Sequence, residues 1–417
     1  MHARLFIAAT ALTASFTFSH AALAAPGDPI KVSDTLTFDP IIEGRLRYEH
    51  VDQPATDADA VTMRLRAGFE LKTDGLSLLA EGEGTLAIDN NYNAFPFPIA
   101  SHQRRPGYSV VADPENIELN RLQLQYKGKA ATITIGRQRI NLDDQRWVGS
   151  VGWRQNEQTF DAVRAEAKIG PVALDGTYSI SQRTIFGIDA GPRQSYDGSF
   201  FLGGAGVKLG PVNVKAFAYL LDYDAKEQAG ALAITNADTQ TYGARATAGF
   251  TLAPKLKLGL AASYARQSDY KDNPLRYAAD YVAGEANLGY AGLGLTAGYE
   301  KLGSDNGRAL QTPMATLHKF NGWADLFLTT PNTGLQDYYG GASYRFDKVS
   351  FVKGLNAAVI YHRFDSDVGN FHYGNEWDAS LGFNVQQFAV LFKYANYDAK
   401  AFAVDTEKFW VQAEFKY

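Results

Sequence analysis

Apolar and polar residues alternate one by one through most of the chain, in segments of about ten residues, the length of a transmembrane strand. In the last segment, Phe409, Val411 and Phe415 fall on one parity, whereas Lys408 and Glu414 fall on the other. Successive side chains of a β-strand point to opposite faces of its sheet. The pattern therefore predicts a series of strands, each with one apolar and one polar face.

The links between these segments alternate between short and long. The short links lie at residues 73–75, 127–129, 170–171, 210–211, 253–255, 291–292 and 386–387. An up-and-down outer-membrane barrel has short periplasmic turns and longer outer loops, whereas a Greek-key sandwich gives no reason for this alternation. The chain is thus predicted to be one all-β domain, a transmembrane up-and-down antiparallel β-barrel of about 18 strands. An even strand number puts both termini in the periplasm, and this width leaves an aqueous channel.

The first 24 residues have a different composition from the rest. Arg4 precedes an apolar run that ends at Ala22-Leu23-Ala24. This pattern predicts a cleaved signal peptide over residues 1–24 and a barrel over residues 25–417. The run is shorter than the roughly 20 residues of a spanning helix, and no later segment reaches that length either.

Composition agrees with an almost entirely β structure. The chain has 23 Tyr, 25 Phe and 39 Gly but only 3 Met and 15 Pro, which favours strands over helices. The absence of cysteine excludes disulfides, thiol-ligated metals and a Cys nucleophile. A net charge of −5 argues against a nucleic-acid partner.

Two links are much longer than the others, at residues 90–116 and 304–335. Loops beyond ~15 residues in a compact domain are usually functional or disordered. Both links contain aromatic residues, including Phe95, Phe97 and Trp323, and are too apolar for disordered segments. We therefore expect at least one of them to fold inward and narrow the pore.

Arginine recurs at the polar, lumen-facing parity. The candidate pore-lining residues are Arg45, Arg47, Arg64, Arg66, Arg121, Arg137, Arg139, Arg164, Arg245 and Arg345. Such residues suit an anionic solute, because a guanidinium binds carboxylates with two hydrogen bonds and stays charged. They also suit structural bracing against Glu43, Glu81 and Glu83, and both interpretations stay open.

Arg137 and Arg139 pose a separate question, because they share the parity of Ile133 and Ile135. Either a bulge after Gly136 switches the face, or these arginines lie above the membrane.

Catalysis has little support in the sequence. The seven histidines show no metal-ligand spacing, and no Ser or Thr can be paired with a His on a neighbouring strand. Asp143 and Asp144 lack the surrounding loop of a calcium site. We expect no enzymatic activity, no cofactor and no metal.

Two stretches carry a family resemblance. The first is GRQRINLDDQRWVG at residues 136–149, followed by Trp153 and by TFDAVR at residues 159–164. The second is ATLHKFNGWADLF at residues 315–327, followed by GLQD at residues 334–337. Together they resemble the alginate-export family of outer-membrane porins. The resemblance implies a monomeric 18-stranded pore whose arginine-lined lumen passes an anionic polysaccharide.

Polar and aromatic residues of these two stretches are expected to organise the long loops. They are Asp144, Arg146, Trp153, Asp161, His318, Asn321, Trp323, Asp325 and Asp337.

The expected function is that of a passive pore in the outer membrane of a Gram-negative cell. Its solute is an anion, by resemblance alginate or a related acidic oligosaccharide or polysaccharide. Two alternatives remain: a general or small-anion uptake porin, and a structural or adhesive surface barrel. The expected partners are this solute, outer-membrane lipids, and the assembly machinery that recognises an aromatic C-terminal strand such as Phe415-Lys416-Tyr417. The direction of transport stays open.

Overall fold

The computed structural model describes residues 29–228, 238–347, 349–350 and 352–417. The predicted signal peptide, residues 1–24, lies outside the described residues. Eighteen long strands form a closed antiparallel barrel. They are β1 Leu36–Asp52, β2 Asp57–Thr73, β3 Leu76–Asn91, β4 Asn116–Lys127, β5 Ala131–Gln138, β6 Thr159–Ile169, β7 Val172–Arg183, β8 Ser195–Leu209, β9 Val212–Tyr223, β10 Thr239–Ala253, β11 Leu256–Asp269, β12 Ala278–Tyr290, β13 Leu293–Leu302, β14 Leu335–Arg345, β15 Lys353–Asp365, β16 His372–Val385, β17 Phe388–Ala399 and β18 Thr406–Lys416.

Each strand pairs with the next in the chain, and β1 pairs with β18 to close the sheet. Across this closure Glu43 lies opposite Lys416, and Arg45 lies opposite Glu414. Full closure leaves no unpaired edge, which a sheet in lipid requires. The predicted topology and the strand number of about 18 are confirmed.

Burial along β2 shows which face is inside. Thr62, Arg64 and Arg66 are buried, whereas Met63 and Leu65 are 43% and 52% exposed. A soluble sandwich would have the reverse arrangement, with its apolar residues inside. The apolar parity therefore faces outward, toward lipid, and the polar parity lines the lumen.

No helix within the described residues is long and apolar enough to cross a membrane.

All seven predicted short links are tight turns at one end of the barrel, the turn end. The other end, the loop end, has a third long loop besides the two expected ones. This loop, residues 139–158, joins β5 to β6. Among the loops at this end that are described in full, 92–115, 139–158 and 303–334 are the longest.

Loop 92–115 packs against the inner wall at the loop end. Phe95 and Phe97 are buried in a cluster with Val51 and Ala60, which lie at the inward parity of β1 and β2. Phe97 also packs edge-on against Phe186, with ring centroids 4.9 Å apart. This loop thus folds over the mouth of the barrel.

Candidate solute pathway in the barrel lumen

Loops 139–158 and 303–334 interlock inside the barrel. The Gly149 amide donates to the Met314 carbonyl at 2.8 Å, and the Thr316 amide donates to the Gln145 carbonyl at 3.1 Å. A Cβ atom on Gly149 would lie 2.1 Å from the Thr316 hydroxyl, so only glycine permits this approach. The two loops therefore behave as one lumenal unit.

Arg146 anchors this unit to the wall. Its Nε donates to Glu300 on β13 at 2.8 Å, and its Nη atoms donate to Thr312 at 3.1 Å and Asn321 at 3.3 Å. Burial alone would lower the pKa of Arg146, but Glu300, together with Tyr281 and Asp144, outweighs burial and raises that pKa. Asp144 adds a second anchor, since its carboxylate lies 2.6 Å from Nη1 of Arg245 on β10.

Four arginines line the wall at β1 and β2, and each of them lies against carboxylates or backbone carbonyls. Arg45 donates to Glu414 at 3.2 Å and to the backbone carbonyls of Gly152, Trp153 and Arg154. Arg47 is fully buried and donates to the carbonyl of Trp153 at 2.6 Å. These contacts hold loop 139–158 against the wall.

Arg64 lies between Glu43 and Glu414, at 3.6 and 3.7 Å. Arg66 pairs with Glu83 and, at 3.4 Å, with Glu157. Arg47 and Arg64 are 0% and 1% exposed, which does not fit the solute contact expected of these two. Desolvated charges need close partners. Arg66 has a hydrogen-bonded carboxylate, whereas the guanidinium nitrogens of Arg64 form no hydrogen bond with the described residues and are neutralised at longer range by its two carboxylates.

Further along the same wall, Glu81 and Glu157 hold two more arginines. Arg121 lies 2.6 Å from Glu81, and Arg139 contacts both Glu81 and Glu157. Burial alone would raise the pKa of the Glu157 carboxyl, but Arg66 and Arg139 hold it below its ordinary value. Bracing is thus the observed role of these side chains.

Arg137 does not line the lumen, contrary to prediction. It lies opposite Leu122, at the parity of the exposed Ile135, and pairs with Asp161 at 2.8 Å. The strand alternation runs unbroken through Arg137 and ends at Gln138, so this side chain stays outside. Asp161 accordingly braces neighbouring strands on the outer face and does not organise a loop, which corrects a second expectation.

The remaining arginine candidates lie at inward parity. Arg164 pairs with Glu166 at 2.8 Å, and Arg245 also donates to Ser263 at 3.1 Å. Arg345 is exposed at the turn end, at the same parity as Asp337.

An aromatic cluster joins both lumenal loops to β17 and β18. Trp153 stacks on His318 with centroids 4.4 Å apart and 3° between planes. Trp410 lies edge-on to Trp153 at 5.9 Å. The Nζ atom of Lys393 lies 3.7 Å from the ring centroid of Trp323 and 4.1 Å from that of Trp153.

Asp325 holds His318 in place. Its carboxylate lies 2.7 Å from Nδ1 of His318 and accepts from Arg154 at 2.6 Å. Burial lowers the pKa of His318 well below its ordinary value, although Asp325 opposes this shift and Lys393 adds to it. His318 is therefore neutral at pH 7, with its proton on Nδ1 and its Nε2 free to accept from Lys393.

Asn321 and Asp337 form a second junction of the same loop. The Asn321 amide donates to Glu300 at 2.7 Å and to Asp337 at 3.2 Å. Asp337 in turn lies 2.9 Å from Nδ1 of His362 on β15. Loop 303–334 is thus fixed to β13, β14 and β15.

Loop 139–158 lies between two of the cavities in the lumen and contributes lining residues to both. The larger, about 550 Å³, is bounded by β10–β18, β1, β2 and both loops. Its lining includes Arg45, Arg245, Lys319, Lys393 and Lys416. The smaller, about 400 Å³, lies between this loop and the wall that carries Lys127, Arg164, Lys168 and Lys215.

Lys319 and Lys393 were not among the predicted site residues. Lys319 directly follows His318, inside the quoted motif, and Lys393 is a lysine among apolar residues at the inward parity of β17. A lysine among apolar residues at one parity of a predicted strand is the sequence signal that could have identified Lys393.

The model of the alginate export family matches residues 81–248 of this chain. The family resemblance is confirmed. The first quoted stretch falls within these residues, and the second, at 315–337, lies beyond them. No curated protein matches the chain in sequence.

Solved outer-membrane porins share the architecture. OpdK of Pseudomonas aeruginosa, in a crystal structure with vanillate, has a TM-score of 0.69 at 15% identity, over 92% of this chain and 98% of that one. OpdQ of the same organism has a TM-score of 0.67 at 15% identity, over 91% and 98%. OccAB3 of Acinetobacter baumannii has a TM-score of 0.65 at 14% identity, over 91% and 100%. Identities this low show the fold alone.

Proposed function

We propose that this barrel is a passive outer-membrane pore for a small anionic solute, which binds in the 550 Å³ lumenal cavity. The observation that carries the proposal is a cavity inside a closed barrel, lined by two lysines that form no ion pair with any of the described residues. The outward apolar parity supports a place in lipid, and the family match supports the outer membrane. By the usual barrel orientation, the turn end and both termini face the periplasm.

The anion preference rests on Lys319 and Lys393. Nζ of Lys319 donates to the backbone carbonyl of Asp144 at 2.8 Å, and Nζ of Lys393 contacts Nε2 of His318 at 2.7 Å. Neither amine forms an ion pair with a carboxylate of the described residues. Burial lowers the pKa of Lys319, against the opposing charge of Asp144, and a bound carboxylate would offset that effect. Most arginines, by contrast, are already neutralised.

The size of the cavity favours a small solute over a polymer. Pockets of ~300–1,000 Å³ typically enclose one small ligand. A polysaccharide would need a continuous wide channel, whereas both loops here are pinned into the lumen by buried ion pairs such as Arg146–Glu300. The vanillate in the OpdK crystal structure is a carboxylate of suitable size, which is consistent with this choice. Export of an acidic oligosaccharide remains the competing function.

Purified protein in planar bilayers tests the proposal. We expect reversal potentials that show anion preference, and a stronger block by galacturonate than by galactose, which has the same ring without the carboxylate. Lys319→Gln should weaken the galacturonate block. The matched control is Arg363→Gln, which removes a cation from the outer face.

Three outcomes would contradict the proposal in different ways. Cation preference, or equal block by both sugars, would remove the anionic solute and leave a general porin. Block by a uronate oligomer but not by the monomer would favour the polysaccharide function. A folded barrel with no channels would favour a structural or adhesive role.

A further inference from the structure

Lys393 is a buried cation in the middle of β17. It lies between Ser380 on β16 and Trp410 on β18, and its side chain is directed into the lumen with only 5% of its surface exposed. An ammonium group in such a place normally pairs with a carboxylate, because desolvation of an unpaired charge is costly. Within the described residues it forms no direct ion pair, and the carboxylates of Asp378 and Asp325 act on it only at longer range.

The partners of this amine are mainly aromatic. Besides its contact to Nε2 of His318, Nζ lies over the rings of Trp153 and Trp323, and 5.4 Å from the centroid of Trp410. A cation is attracted to the face of an indole ring, and the attraction increases when both groups are shielded from water. The three tryptophans and His318 thus form an aromatic cage around Lys393.

The cage joins parts of the chain that are otherwise separate. Trp153 belongs to loop 139–158, His318 and Trp323 belong to loop 303–334, and Trp410 belongs to the wall. The Asp325 carboxylate links His318 to Arg154, and Arg154 reaches Glu49 on β1 at 3.1 Å. One amine on β17 therefore contacts both lumenal loops at once.

We propose that Lys393 is a positioning residue that pins both lumenal loops to β17 and thereby sets the width, and hence the size limit, of the pore. An apolar side chain of similar length would fill the same space without the cost of burying a charge, so packing alone does not explain a lysine here. The amine instead draws Trp153 and Trp323 toward one point on the wall. Both rings line the 550 Å³ cavity, so their position determines how much of it stays open.

The test compares three variants in planar bilayers with the wild type. Lys393→Met keeps the length and removes the charge, and Lys393→Arg keeps the charge. The control Lys72→Met removes a half-exposed lysine at the inward parity of β2 that lines neither cavity. Without the cation–π contacts, the two lumenal loops should leave the wall more often. The ratio of loops released from the wall to loops packed against it should rise by about tenfold or more. Lys393→Met is therefore expected to show higher conductance, greater open-channel noise and passage of larger acids. Lys393→Arg should resemble the wild type in all three properties.

Chemical rescue supplies a readout that a general loss of stability would not change. In Lys393→Ala, n-propylammonium should enter the aromatic cage and reduce conductance and noise toward wild-type values, whereas n-propanol at equal concentration should not. The heat-modifiable shift of folded barrels in gel electrophoresis confirms that each variant is assembled.

This inference rests on the proposed pore function, and the two fail differently. Absence of channels in the wild type would overturn the pore itself. Wild-type conductance, noise and size limit in an assembled Lys393→Met barrel would overturn only the positioning role. The same changes in Lys72→Met would assign the effect to lost lumenal charge, and changes in Lys393→Arg equal to those in Lys393→Met would assign it to side-chain packing. Either outcome would also overturn that role.

Discussion

Replacement of Arg146 by methionine should release the lumenal loops from the wall. The change removes the guanidinium that contacts Glu300, Thr312 and Asn321, and it leaves the Glu300 carboxylate buried. Removing one partner of a buried ion pair costs about 3–5 kcal/mol. Glu300 keeps hydrogen bonds from Tyr281 and Asn321, both at 2.7 Å, so we expect the lower end, about 3 kcal/mol.

Hydrogen exchange at the Gly149 amide measures this cost, because that amide bonds across the two loops to Met314. At about 1.4 kcal/mol per tenfold change, its exchange rate should rise about 100-fold in Arg146→Met. The double variant with Glu300→Gln should recover much of the protection, since no buried charge is then left unpaired.

Arg164→Met is the matched control. Arg164 and Glu166 are also 2.8 Å apart, but the Glu166 side chain is 46% exposed. A solvent-exposed pair contributes at most about 1 kcal/mol, so this variant should leave the Gly149 exchange rate almost unchanged. A similar small change in Arg146→Met would refute the assignment of Arg146 as the main anchor.

Two further predictions follow from the same geometry. Burial depresses the pKa of His318 when the lumenal loops are packed against the wall, so His318 binds a proton more readily once the loops are released from it. The packed state should therefore be fully stable above about pH 6.5. Below that pH its free energy relative to the released state should weaken by up to about 1.4 kcal/mol per pH unit. Channel noise should therefore rise between pH 7.5 and pH 5 in the wild type but not in His318→Gln, and constant wild-type noise would contradict this reasoning. Arg139→Gln should shift the reversal potential toward cations, whereas Arg137→Gln should not; equal shifts would mean that Arg137 faces the lumen after all.

Strand alternation and turn chemistry were enough to predict the barrel. Each is a local property: the parity of Met63 against Arg64 gives the two faces, and Gly170-Pro171 gives a tight turn without reference to any distant residue. Strand number and topology follow from repeating such local signals along the chain.

The interior of the barrel was less predictable, because its contacts join distant residues. Parity places Arg47 in the lumen but cannot show that Trp153, 106 positions away, accepts its hydrogen bond. Loop 139–158 is not one of the two long links that the sequence predicts, although Asp144, Arg146 and Trp153 within it are expected to organise loops. Arg137 is still within β5 and points outward, whereas β5 ends at Gln138 and Arg139 turns into the lumen. The exact end of the strand therefore determines which of the two arginines faces the solute pathway.

The pairing of β1 with β18 has a consequence for the order in which the barrel folds. Strands that meet there are nearly the whole sequence apart, so this contact has the largest loop-closure entropy to overcome and forms late. Glu414 of the last strand neutralises Arg45 and Arg64 at that position. A chain shortened by its final strand would lose this carboxylate as well as its edge partner. Arg45 would then lose its ion pair, and, among the described residues, Arg64 would keep only its ion pair with Glu43. The ion pairs that brace the wall thus also depend on the presence of the last strand.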